Sequence, residues 1–258
     1  MSIVLLCGAL YSVMCAAMLC CIPVNRPANR LLAGLVGVLA LYGAPYIIGY
    51  AGYYDAYPWL SFAPYKATLA IGPLLYLYLA CLHAGGTRLP ARWALHLAPA
   101  LLQVLYYSVL FGQPLAFKND WDASVHRPYL DPLETLALLA SLALYWLLAL
   151  RRHRQGGGHG EWPRKLLVAT GLTILFWFLL TGAELACSGL NYFQRFPFYM
   201  WLAIVVGYLG TDGYRHGVVP FPIPAPAMAP APAPAAPAVP DLAALGQRWR
   251  ASGGAIPP

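Results

Sequence analysis

Seven long apolar runs constrain the fold of this chain more than any other feature. A helix needs about 20 apolar residues to cross the hydrocarbon core of a bilayer, and each run reaches or approaches that length. The runs do not alternate apolar and polar residues as the strands of a membrane β-barrel do. The sequence therefore predicts an all-α protein, an integral membrane bundle of seven transmembrane helices. The predicted spans are residues 3–22, 31–50, 60–82, 93–111, 133–150, 166–187 and 196–213.

The low charge of the chain supports the same class. Only 10% of the 258 residues are charged, against about 25% in an average soluble domain. So few charges cannot cover a surface that faces water. No Lys or Arg precedes the first run, so we interpret it as a span rather than a cleaved signal peptide.

The distribution of basic residues predicts the orientation of the bundle. Twelve of the 16 Lys and Arg residues fall in the odd-numbered loops and the C-terminal segment. Under the positive-inside rule, this asymmetry places the N-terminus outside and the C-terminus in the cytoplasm. We therefore predict a multi-pass protein of the cell (inner) membrane, with the lipid bilayer as its main partner. The largest cytoplasmic basic cluster is Arg151, Arg152, Arg154, Arg164 and Lys165.

A Pro/Ala-rich segment divides the chain near its end. Nine of the 21 residues from Pro220 to Pro240 are proline, and most of the others are alanine. Such a composition cannot build a packed core and predicts a disordered tail. We therefore predict a transmembrane domain (1–215), a linker (216–240) and a short cytoplasmic tail (241–258). Within the tail, an apolar stripe indicates one short helix.

Few polar residues lie within the apolar runs, and they are the candidates for a signal or ligand pocket. Glu184 lies near the outer end of the sixth run, with Arg195 and Lys66 as candidate partners. It either takes part in function, as ionisable groups inside membranes commonly do, or simply reaches water at the interface. His96 and Gln103 are seven residues apart and share one face of the fourth helix. They either bond to neighbouring helices or line a pocket.

Gly72 and Pro73 precede two tyrosines in the third run. A Gly-Pro pair within a helix predicts a kink, which frees backbone groups that neighbours must satisfy. Tyr76 and Tyr78 follow the predicted kink and complete the candidate pocket. The alternative is that the kink and both tyrosines serve packing alone.

The sequence lacks the motifs of common catalytic sites. It contains no nucleophile motif, phosphate-binding loop, dinucleotide fingerprint or HExxH. Its six cysteines lie in or beside the apolar runs, without the paired spacing of a zinc site. We therefore predict no enzymatic activity, no cofactor and no metal site.

A set of short motifs runs through the third and fourth apolar runs. A G-P-x-x-Y-x-Y third helix is followed by a basic turn and by an H-x-x-P start to the fourth helix. The residues are Gly72, Pro73, Tyr76, Tyr78, Arg88, Arg92, His96 and Pro99. Together with the seven-helix layout, these motifs resemble the N-terminal membrane region of membrane-bound bacterial AraC-type transcriptional regulators.

The resemblance covers roughly residues 1–250 and implies a membrane domain that precedes a cytoplasmic helix-turn-helix domain. Residues 241–258 contain no helix-turn-helix. The resemblance thus implies a sensor-like domain of a truncated or split regulator, which relays an unknown signal to a separate or missing DNA-binding domain. We predict no direct nucleic-acid binding by this chain, and its oligomeric state stays open. The alternative function is a small-molecule transporter or channel-like protein, in which the same polar residues would line the path.

Overall fold

The structure, a computed structural model, describes residues 2–155, 160–186, 192–221, 247 and 249–251. Within these residues the regular elements are helical and no strand occurs. The α-helices are α1 (Ser2–Cys21), α2 (Arg26–Tyr50), α3 (Tyr53–Ala56), α4 (Ile71–His83), α5 (Trp93–Phe111), α6 (Leu115–Trp121), α7 (Asp131–Gln155), α8 (Glu161–Ala186) and α9 (Phe196–Gly217). The predicted disorder of the linker and the predicted tail helix fall almost entirely outside the described residues.

Five of the described helical segments are long enough and apolar enough to cross a membrane. They are Ser2–Cys21, Arg26–Tyr50, Trp93–Phe111, Leu115–Gln155 and Glu161–Glu184. The prediction of an all-α chain with several membrane-length helices is thereby confirmed. The segment Leu115–Gln155 is 41 residues long because α6, a π-helix over Asp122–Leu130 and α7 follow one another without a break.

The surface of the bundle carries large apolar side chains. Ile3 on α1 is 74% exposed, Leu102 on α5 is 67% exposed and Leu179 on α8 is 63% exposed. Large exposed apolar faces are rare on soluble monomers, whereas hydrocarbon solvates them readily. The outside of the fold therefore suits lipid better than water.

The third predicted span, residues 60–82, is wrong in its first half. The structure has a 3-10 turn over Pro58–Leu60, a second over Thr68–Ala70, and only then the 13-residue helix α4. Pro64 lacks a backbone donor and disfavours the helical conformation in the residue before it. Phe62 also adopts a left-handed backbone, with φ of 60°, which interrupts a helix.

The predicted kink at Gly72 and Pro73 is accordingly a helix start. Both residues lie in the first turn of α4, where backbone N–H groups have no intrahelical partner and a proline breaks no hydrogen bond. Gly72 instead permits a close approach to α7, since a Cβ there would lie 3.0 Å from the Ser141 carbonyl oxygen and 3.2 Å from the Tyr145 Cβ.

Helix α9 packs closely on α1 and α2 because glycines line one of its faces. Gly210, Gly213 and Gly217 are buried and lie three and four residues apart. A Cβ at Gly210 would lie 2.7 Å from the Cys15 Cβ, and one at Gly213 would overlap the Leu32 side chain. Small residues at such positions let helix backbones approach one another in membranes.

Two buried asparagines hold the chain where it leaves α9, and we call them the asparagine clamp. Asn25 Nδ2 donates to the Val219 carbonyl oxygen at 2.7 Å, and its Oδ1 accepts from the Phe221 N–H at 3.4 Å. Asn29 Nδ2 donates to the Gly217 carbonyl oxygen at 3.1 Å. The last carbonyls of a helix have no intrahelical donor, so the clamp both satisfies them and fixes the exit of the chain.

Replacing Asn29 by alanine is expected to lower the free energy of unfolding by about 1–3 kcal/mol, because it removes a donor from buried carbonyl groups. Asn29 is fully buried. The measurement is the thermal unfolding midpoint of the full chain in detergent. Asn119→Ala is the matched control, since Asn119 is exposed on α6. Equal midpoints for the two variants would contradict a stabilising clamp.

Candidate functional site

A polar cavity of about 130 Å³ lies at the predicted outer end of the bundle, where α2 and α8 end and α7 and α9 begin. We call it the outer cavity. Its apolar wall includes Leu138, Trp177 and Phe198. Its polar wall comprises three carboxylates, two cations, three phenols and three threonines: Asp131, Glu134, Glu184, Lys66, Arg195, Tyr42, Tyr46, Tyr199, Thr68, Thr135 and Thr181.

Glu184 forms an ion pair with Arg195 on one side of the outer cavity. The Glu184 Oε1 and Arg195 Nε atoms are 2.9 Å apart, and both side chains are partly shielded from solvent. Arg195 was one of the two partners predicted for Glu184. Burial lowers the pKa of Arg195, but the charge of Glu184, together with Tyr46 and Tyr199, outweighs it and raises that pKa overall. The guanidinium therefore stays cationic beside the cavity.

Lys66 and Glu134 form the second ion pair of the outer cavity. The Lys66 Nζ lies 2.9 Å from Glu134 Oε2, with side chains 32% and 22% exposed. Tyr107 on α5 donates its hydroxyl hydrogen to the Glu134 carboxylate at 2.8 Å. The same hydroxyl oxygen accepts a hydrogen bond from Lys66 Nζ at 3.0 Å. These three side chains thus join the loop before α4 to α5 and α7.

Lys66 also contacts a buried histidine, His126, on the neighbouring π-helix. His126 Nε2 lies 3.4 Å from Lys66 Nζ, and His126 Nδ1 lies 2.9 Å from Asp122 Oδ1. The His126 ring stacks on Trp121, with ring centres 5.1 Å apart. A chain of polar contacts therefore runs from Asp122 through His126 and Lys66 to Glu134.

The π-helix that carries His126 has a local cause in the sequence. Pro128 lies within it, and a proline can neither donate a backbone hydrogen bond nor fit its ring against the carbonyl four residues earlier. A wider turn accommodates this clash. Such π-bulges occur frequently at functional sites, and here one turns His126 towards Lys66.

Sequence reasoning did not place Lys66, Glu134, Tyr107 and His126 together. The sequence offers Lys66 only as a possible partner of Glu184, and Glu134 is not among the predicted pocket residues. The two residues are 68 positions apart, so no periodicity connects them. The available signal was their position near the outer ends of the predicted runs (Lys66, Tyr107 and Glu134) or in the outer loop between two runs (His126), on the same predicted side of the membrane.

Gln103 does not line the outer cavity but forms hydrogen bonds with the turn that does. It is buried on α5, and its Oε1 accepts from the Leu69 N–H at 3.2 Å. Its amide also donates to the Thr68 hydroxyl at 3.2 Å, and Thr68 lines the cavity. Gln103 therefore holds the turn that leads into α4 rather than lining the cavity itself.

The other predicted pocket residues lie elsewhere. His96 Nδ1 is 3.0 Å from the Tyr145 hydroxyl, and the His96 ring contacts Tyr76, which joins α5, α4 and α7. Tyr78 is fully buried, and its hydroxyl accepts from Trp162 Nε1 at 2.7 Å. Of the five predicted pocket residues, only Glu184 lines the outer cavity directly.

The predicted basic cluster lies at the opposite end of the bundle from the outer cavity. Its first three arginines lie within the last five residues of α7, and Arg164 and Lys165 lie near the start of α8. All five side chains are exposed. Lys165 pairs with Glu161 at 3.0 Å.

The described residues contain no group of three or more His, Cys, Asp or Glu side chains arranged to hold a metal ion. Comparisons of the chain with protein-family models, curated protein sequences and solved structures found no match.

Proposed function

We propose that this chain is the sensor domain of a membrane-bound transcriptional regulator, crossing the bacterial inner membrane seven times, with the outer cavity as its signal site. The observation that carries the proposal is the outer cavity, whose wall contains three carboxylates and two cations in a bundle with an apolar surface. Ionisable groups are costly in such surroundings and mark functional sites. The regulator part of the proposal rests on the resemblance through Gly72–Gln103.

The chemistry of the wall favours a small polar ligand with both positive and negative charge. Carboxylates and cations lie on two sides of the cavity as the pairs Glu184–Arg195 and Lys66–Glu134. Each pair offers one group to a ligand of opposite charge. A volume of about 130 Å³ is below the ~300–1,000 Å³ of sites for drug-sized molecules, so the ligand is small.

Helix α9 provides the route from the outer cavity to the predicted cytoplasmic side. Tyr199 in its first turn lines the cavity, and Gly217 at its end contacts the asparagine clamp. A helix of 22 residues is about 33 Å long, and we expect it to move as one body. A ligand that draws the cavity walls together would shift α9. The shift would strain the hydrogen bonds of the asparagine clamp, which hold the chain where it leaves α9.

The transporter alternative has less support. The next cavity along the bundle is about 30 Å³ and is lined mainly by apolar side chains such as Leu35, Ile71 and Leu142. Transport of a charged solute needs polar groups along its path. In the part of the chain that the structure describes, the polar wall of the outer cavity does not continue into this region.

A thermal-shift screen of small amino acids, amines and carboxylic acids tests the proposed site. A ligand at 100 times its dissociation constant adds about 2.7 kcal/mol of stability, so we expect a higher unfolding midpoint for the purified full chain. Glu184→Gln should abolish this shift, because it removes the charge and keeps the shape. Glu161→Gln, at the opposite end of the bundle, is the control. A ligand shift of the same size in Glu184→Gln would contradict the assignment of the site.

A further inference from the structure

A second, larger groove lies between α8 and α9, towards the predicted cytoplasmic end. Its volume is about 480 Å³. Val168 and Leu172 line it on α8, and Trp201 and Ile204 line it on α9. Val168 is 54% exposed and Ile204 is 63% exposed, so the groove opens on the outer surface of the bundle. It is distinct from the outer cavity and does not rest on the proposed function.

The mouth of the groove carries an unbalanced positive charge. Arg164, Lys165 and Glu161 line it, so the lining carries one net positive charge. Lys165 is paired with Glu161 at 3.0 Å, whereas Arg164 has no carboxylate within 4.0 Å among the described residues. Nearby, the Asp212 carboxylate accepts from the Tyr208 hydroxyl at 3.2 Å. Among the residues that the structure describes, Arg164 is thus the cation of the groove lining that forms no ion pair within 4.0 Å, and a guanidinium matches the geometry of a phosphate group.

The length of the groove matches one leaflet of a bilayer. From Arg164 to Leu172, α8 rises by about 12 Å, close to half of the ~30 Å hydrocarbon core. Tyr208 lies beside the charged mouth, at the level where tyrosines prefer to sit in membranes. The groove therefore has a cationic end at the interface and an apolar body within one leaflet.

We propose that the groove between α8 and α9 binds one anionic glycerophospholipid. Its phosphate would lie on Arg164, and an acyl chain would run along Val168, Leu172 and Ile204. Charge complementarity selects this occupant: a zwitterionic lipid presents the same phosphate together with a cationic group that Arg164 repels. The apolar body excludes a free headgroup as the preferred ligand, because it would leave the wall of the groove unfilled.

Native mass spectrometry of the full chain tests this site. The protein is purified with equal amounts of phosphatidylglycerol and phosphatidylcholine, and retained lipid is counted. We expect one phosphatidylglycerol per chain, in preference to phosphatidylcholine, and an approximately tenfold weaker retention in Arg164→Gln, since one charge-assisted contact to phosphate is lost. Arg152→Gln is the matched control, because Arg152 is an exposed arginine at the end of α7. It should retain lipid as the unmodified chain does.

A second measurement tests whether the acyl chain of the bound lipid lies in the groove. Phosphatidylglycerol with brominated acyl chains should quench the fluorescence of Trp201, measured as the difference between the unmodified chain and Trp201→Phe. Ile204→Trp, which fills the groove, should abolish retention without altering the charge.

Three results would overturn the proposal. Equal losses in Arg164→Gln and Arg152→Gln would mean diffuse attraction of lipid to basic residues. Competition by glycerol phosphate as effective as that by the intact lipid would mean an anion site alone. A dimer that Ile204→Trp dissociates would mean that the groove binds a second copy of the chain.

Discussion

Replacing Gly210 by alanine is expected to lower the free energy of unfolding by about 1–3 kcal/mol, the usual cost of adding a methyl group to a well-packed interior. The added Cβ would lie 2.7 Å from the Cys15 Cβ. That carbon is bonded directly to the backbone of α1, so no side-chain rotation can relieve the overlap. Helices α1 and α9 must move apart, and the contacts along their whole interface weaken.

Gly207→Ala is the matched control on the same helix. Its Cβ would meet only the Tyr11 ring, at 3.6 Å, which is an ordinary van der Waals distance. Alanine favours the helix over glycine by about 1 kcal/mol, so this variant should be as stable as the unmodified chain or more so. The measurement is the thermal unfolding midpoint in detergent for both variants. Similar losses in both would show that the glycine face of α9 is not a close-packing surface.

A double-mutant cycle on Lys66 and Glu134 should give the second large effect. Lys66→Met leaves the Glu134 carboxylate without its cation and with the Tyr107 hydroxyl as its remaining described partner. Removal of one member of a partly buried polar pair costs about 1–3 kcal/mol. Glu134→Leu leaves the Lys66 ammonium without its carboxylate and with Tyr107 and His126 as its remaining described partners. The double variant removes both charges, so we expect it to be more stable than the sum of the single losses predicts.

The coupling energy of this cycle should lie between that of a surface pair and that of a fully buried pair. The Lys66 and Glu134 side chains are 32% and 22% exposed, and solvent therefore screens part of their attraction. Lys165 and Glu161 form the control pair, at a similar 3.0 Å but with side chains 49% and 84% exposed. Their cycle should show no measurable coupling. Additive losses at Lys66 and Glu134 would mean that the outer cavity has no stabilising ion pair there.

The helices were predictable from the sequence wherever an apolar run is long and uninterrupted. The span predicted at residues 93–111 coincides with α5, Trp93–Phe111, because the run of apolar residues itself begins and ends there. The third span failed because hydrophobicity alone does not reveal that Pro64 and Phe62 interrupt a helix. A helix that is buried between two neighbours, as α4 is, also does not have to be long enough to cross a membrane. Its first and last residues therefore cannot be found from hydropathy.

The outer cavity was predictable only in part. Glu184 stands out as an acid within an apolar run, and its partner Arg195 follows closely in the chain. Lys66, Glu134 and Tyr107 belong to three separate elements, and their contacts arise from tertiary packing. In the sequence, the basic residues near the ends of the runs serve as signals of orientation, and the contact of Lys66 with Glu134 at the cavity is not apparent from it.

The short helix α4 has a consequence for the way this protein is made. Eleven of its 13 residues are buried by neighbouring helices, and its length of about 20 Å falls short of the ~30 Å that a lone helix must cover. Inserted by itself, α4 would leave unpaired backbone groups in hydrocarbon. If α4 lies in the bilayer as the sequence predicts, we therefore expect it to insert together with α2 and α7, and the order in which the segments insert should then depart from their order of synthesis.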